Sequence, residues 1–108
     1  MAFARVYGAL LAKVERKNRS KAELDRVIAW HTGYGDAALA AALADGRSME
    51  AFFAQAPGMN PARNLVTGVV CGVRVETVEE PLMKEIRILD KLVDELAKGR
   101  PMEKILRA

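Results

Sequence analysis

The sequence predicts an all-α fold: a small orthogonal bundle of about five or six helices, with residues 68–76 open to an extended conformation. Three observations predict it. Apolar residues recur at three- and four-residue intervals along most of the 108 residues, the spacing of one helix face. Cap residues stand where those runs begin. Gly and Pro separate one run from the next.

The first helix is expected over about Phe3 to Lys17, where Phe3, Val6, Tyr7, Leu10, Leu11 and Val14 share a face. Ser20 and Glu23 then read as a capping box, hydroxyl and carboxylate each satisfying a free backbone N–H. A second helix follows from about Lys21 to His31, with Leu24, Val27 and Ile28 facing inward. Gly33 is placed to end it in the left-handed conformation. Asp36 is the expected N-cap of an Ala-rich third helix that stops at Asp45 and Gly46. Ser48 caps a short piece carrying Phe52 and Phe53, both core candidates. Asn60 and Pro61 mark another helix start, since Pro has no N–H to lose in the first turn.

The stretch "LVTGVVCGVRVETVEEP" reads two ways. Its β-branched residues and the alternation Val73, Arg74, Val75, Glu76 suit a strand. A lone strand needs a partner for its backbone groups, either a second copy or a short local hairpin. The favoured reading is an irregular helix continuing from Pro61, in which Gly68 and Gly72 form a close-contact notch and Cys71 is a buried, inert thiol. Pro81 then opens a long helix with Leu82, Ile86, Leu89, Val93 and Leu96 in one stripe, ended at Lys98 and Gly99. The tail "MEKILRA" can add one more turn. This helix should cross a cluster of Val27, Ile28, Trp30, Leu39, Leu43, Phe52 and Phe53.

Length sets one domain, residues 1–108. The hydrophobic fraction of 51% rules against disorder, and no apolar run approaches the roughly 20 residues that span a bilayer, so no membrane partner is expected. No cleavable leader is read at the N-terminus. One Cys cannot build an internal disulfide and fits a reducing compartment, so a cytoplasmic location is expected.

The net charge of +3 is uneven. Arg16, Lys17, Arg19 and Lys21 cluster near the first interhelical turn, a patch able to hold nucleic-acid phosphates without reading sequence. Such a cluster is more often a solvated helix face. A sequence-reading helix-turn-helix does not fit, because "DAALAAALADG" offers no polar base contacts.

The stretch "AWHTGYGD" holds the chain's only His and Trp. One His and one Cys make no metal motif, and no cofactor loop is present, so no metal and no cofactor are expected. His31 and Cys71 could act as a base–nucleophile pair only if the fold joined them. The plainer reading is a helix end, with His31 in the last turn and Trp30 and Tyr34 plugging the core beside it. The carboxylates Asp90, Asp94 and Glu95 read as solvated partners of Lys91 and Lys98 on the last long helix.

The pieces "AWHTGYG", "FFAQAPGMNPARNLVTGVVCGVRVE" and "EEPLMKEIRILDKLVDELAKGRPMEKIL" together resemble the bacterial family known as domain of unknown function 2200. The resemblance covers nearly the whole chain. It implies a small, soluble, mostly helical bacterial protein with no assigned activity, and supplies no catalytic residues. It marks Trp30, Tyr34, Asn60 and Arg74, among others, as family-typical positions and so as candidate binding residues. It also implies that His31 is not shared across relatives, which often carry Leu there.

The function expected is a non-catalytic interaction module, with an unknown protein partner or self-association. Sequence-nonspecific nucleic-acid binding is the alternative. An enzyme or small-ligand site using Tyr34, Arg63, Arg74 and Arg87 as anion contacts comes last.

Overall fold

A computed structural model describes residues 1–107, and the tail residue Ala108 lies outside them. The described chain is mostly helical: α1 (Phe3–Glu15), α2 (Lys21–Thr32), α3 (Asp36–Ala44), α4 (Met49–Ala54), α5 (Pro81–Ala97) and α6 (Met102–Ile105). Short 3-10 turns lie at Pro61–Leu65 and Val75–Thr77, and two strands, β1 (Val69–Val70) and β2 (Val73–Arg74), form a hairpin between them.

The cap signals act where they were read. The Ser20 hydroxyl accepts from the Glu23 N–H at 3.2 Å while the Glu23 carboxylate accepts from the Ser20 N–H at 3.0 Å, completing the capping box. Removing such a cap costs about 1 kcal/mol. Ser48 and Asn60 accept from Ala51 and Ala62, and Glu80, not read as a cap in the sequence, accepts from both Leu82 and Met83. At the third helix the expectation needs correcting. Gly35 is the N-cap, and Asp36 is the first helical residue and makes no cap bond. Its carboxylate still favours the positive end of the helix.

The larger correction concerns residues 66–74, where no helix runs and only short 3-10 turns flank the segment. Gly68, Cys71 and Gly72 have φ of 105°, 50° and 76°, values no right-handed helix tolerates. The chain instead reverses at Cys71 and Gly72, and two successive positive φ angles give the turn that matches strand twist. Val69 pairs with Arg74 and Val70 with Val73, so the strand finds its partner locally. Cys71 sits at the hairpin tip and is exposed rather than buried. The fold is therefore helical with one small sheet, not strictly all-α.

α5 is the central element, touching α1, α2, α4, α6, β1 and the second 3-10 turn. Its Ile88, Leu89, Leu92, Val93 and Leu96 are buried. Phe52 forms the centre of an aromatic stack, with Phe3 on one side at 3.7 Å between centroids and Tyr34 on the other at 4.4 Å. Each pair adds about 0.5–1.5 kcal/mol to the area it buries. Trp30 and Leu43, expected inside, are only partly buried at the edge of this core. The N-terminus is tied down by backbone bonds, Phe3 N–H to Arg47 and Met49 N–H to Met1, both 2.9 Å.

Candidate functional site

The "AWHTGYGD" segment is a junction between helices. Gly33 ends α2 at φ 81°, and the following turn presses against the loop after α4. A side chain at Gly33 would meet the backbone N of Gly58 at 2.6 Å. Gly58 N–H donates to the Thr32 carbonyl and Asn60 N–H to that of His31, both at 3.1 Å. Tyr34 is buried, its hydroxyl donating to the Phe52 carbonyl at 2.6 Å and accepting from Arg47 at 3.2 Å.

His31 is fully buried. Its Nε2 lies 3.1 Å from Glu85 Oε1, and Arg63 Nε donates to the same carboxylate at 2.9 and 3.1 Å. Burial pushes Glu85 up, but the bonds from His31 and Arg63 outweigh it and hold the carboxyl below its ordinary value. His31 Nδ1 has no partner. A ring with no exposure cannot reach a substrate, and Cys71 lies on the exposed hairpin turn, so the two do not form a catalytic pair. His31, Glu85 and Arg63 instead lock α2, the Pro61–Leu65 turn and α5 together.

The basic residues separate into two kinds. Arg19 donates to Glu23 and also to the carbonyls of Leu96 and Arg100 at 3.2 and 3.0 Å. It closes the end of α5, a role no local pattern announced. Lys21 pairs with Asp25 at 2.7 Å. Arg16 reaches only the Ala12 carbonyl, and Lys17 makes no ion pair among the described residues. Of the family-typical positions, Asn60 serves as a cap, Arg74 is exposed and paired with Glu76 at 3.2 Å, and Trp30 is half-buried. Tyr34, Arg63, Arg74 and Arg87 do not converge on one anion site, since each answers to a separate partner. Glu95, expected on a solvated face, is buried. The C-terminal tail folds back over it, bringing Arg107 to 2.6 Å and Arg100 to 3.3 Å.

Two adjoining clefts of about 510 and 600 Å³ run between α1, the start of α4 and the first half of α5. They share Met1, Val6 and Asp90 and form one groove. Leu82, Ile86 and Met49 line one end, and Ala9 and Leu10 the other. Met1 is 85% exposed and Met83 39%, both apolar side chains standing at its edge. Asp90 lies in the groove with Arg87 at 3.3 Å, and burial pushes its carboxyl up despite that cation and Lys13. Of the α5 stripe read from the sequence, Leu89, Val93 and Leu96 are buried, and the equally buried Ile88 and Leu92 were missed by that spacing. That Leu82 and Ile86 would stay half-covered was not legible, because it depends on how α1 and α4 pack beside α5. A further cleft of about 590 Å³ lies between α2 and α3, with Lys21, Asp25, Arg26 and Asp36 among the residues lining it.

No helix among the described residues is long and apolar enough to cross a membrane, and none of their His, Cys, Asp and Glu groups could hold a metal ion. No curated protein matches the chain. Among solved structures, the crystal structure of uncharacterized protein SP1917 is similar, at 48% identity and a TM-score of 0.92, covering 98% of this chain and 87% of that one. A family model described as "Uncharacterized protein conserved in bacteria (DUF2200)" matches residues 1–107. The chain belongs to that family.

Proposed function

We propose that this chain is a non-catalytic, cytoplasmic protein-interaction module that docks a partner in the groove between α1 and α5. The groove carries the reading. It is a mostly apolar groove edged by two exposed methionines and a few charged side chains, and exposed apolar surface marks interaction sites. Methionine suits a docking edge, because its unbranched side chain adapts to a partner's shape. The cytoplasmic part rests on Cys71, an exposed thiol compatible with a reducing compartment. The nucleic-acid alternative has less support, since Arg19 and Lys21 are already committed to internal partners.

The test places a photo-reactive amino acid at Met83 in the groove, and separately at Lys104 on α6, in living host cells. The reading expects a discrete covalent adduct with one protein from position 83 and none from position 104. No adduct at 83, or the same adducts from both positions, would overturn it.

A further inference from the structure

We propose that the occupant of this groove is a second copy of the chain, in a two-fold dimer where Arg5 of each protomer pairs with Glu50 of the other. The inference rests on the docking reading above and names its partner.

The groove meets the two demands of a two-fold interface. Such an interface presents the same patch from both sides, so the patch must complement itself in shape and in charge. In shape, it holds both halves of a contact: an apolar hollow along Val6, Leu82 and Ile86, and a projecting Met1 beside it. In charge, Asp90 is already matched by Arg87. Two charged side chains of the lining remain, Arg5 and Glu50, and neither makes an ion pair or side-chain hydrogen bond among the described residues. They belong to different ends, Arg5 to the cleft at Ala9 and Leu10, Glu50 to the cleft at Leu82 and Met83, with Met1, Val6 and Asp90 common to both. A two-fold axis through that common strip exchanges the ends and brings each Arg5 toward the partner's Glu50. A uniformly acidic or basic partner would set one of the two against its own sign.

Sedimentation across a micromolar concentration series reads the association, with circular dichroism confirming that each variant is folded. The wild-type chain should sediment as a dimer. Arg5→Glu and Glu50→Arg should each weaken the dimer about tenfold or more, since each sets like charges together at two symmetric places. The doubly reversed Arg5→Glu/Glu50→Arg chain should recover it, and Lys17→Glu, away from the groove, should leave it unchanged. A monomer at every concentration, or a double variant no better than the singles, would overturn the dimer. Cross-linking from Met83 separates this failure from the failure of docking itself. An adduct at twice the chain mass supports the dimer. An adduct with a different protein overturns the dimer and leaves the docking reading standing, and no adduct overturns both.

Discussion

Replacing Gly33 with Ala tests whether the junction at "AWHTGYGD" is set by close backbone packing or by backbone conformation alone. Gly33 has φ 81°, and an L-residue in that conformation costs about 1 kcal/mol. Gly46 has nearly the same angle, φ 73°, and open space around it, so Gly46→Ala should cost that much and no more. At Gly33 the new methyl would lie 2.6 Å from the Gly58 nitrogen and 2.9 Å from its oxygen, both backbone atoms that no rotamer change can move. The loop must shift, and the bonds from Gly58 and Asn60 to the Thr32 and His31 carbonyls are stretched. Each is worth about 0.5–1.5 kcal/mol. Gly33→Ala should therefore cost about 3 kcal/mol against about 1 for Gly46→Ala. Near 5 °C per kcal/mol for a domain of this size, the melting temperatures should differ by about 10 °C. Urea unfolding followed by Trp30 fluorescence and by circular dichroism measures both variants. A Gly33→Ala chain no less stable than Gly46→Ala would refute the packing argument.

The buried His31 gives a second prediction. Its Nδ1 is unpartnered, and Glu85 keeps Arg63 when the imidazole is gone. His31→Leu should lie within about 1 kcal/mol of the parent, whereas Glu85→Ala strands two donors and should cost about 2–3 kcal/mol. Urea midpoints in the reverse order would contradict this account of the junction. Acid stability supplies the third. The Arg19 guanidinium and the Ser20 N–H hold Glu23 down at about 2, from an ordinary 4.5. A depressed carboxylate stabilises above its ordinary value, and that stability is lost as pH falls from 4.5 toward 2. The carboxylate is 35% exposed, and solvent screening leaves about 1 kcal/mol of that shift. Glu23→Gln should flatten the stability curve over this window; an unchanged slope there would remove Glu23 from the acid response.

The sequence by itself determined the parts that depend on near neighbours. The Ser20–Glu23 box, the left-handed Gly33, the caps at Ser48 and Asn60, and the Leu89, Val93 and Leu96 part of the stripe on α5 all follow from groups within four residues of one another. The tertiary structure decided the rest, because the forces there act between residues far apart in the chain. Cys71 and Gly72 carry a turn signal only once Val69 and Val70 have Arg74 and Val73 opposite, and the helix-spaced reading of the same letters was the one favoured. Glu95 looked like a surface charge until the tail brought Arg107 onto it from twelve residues away. Arg19 looked like part of a free basic patch until the end of α5 arrived 77 residues later with carbonyls to satisfy. The groove is the clearest case. Leu82 and Ile86 are apolar in the sequence whether covered or open, and only the placement of α1 and α4 beside α5 leaves them half-covered in the groove.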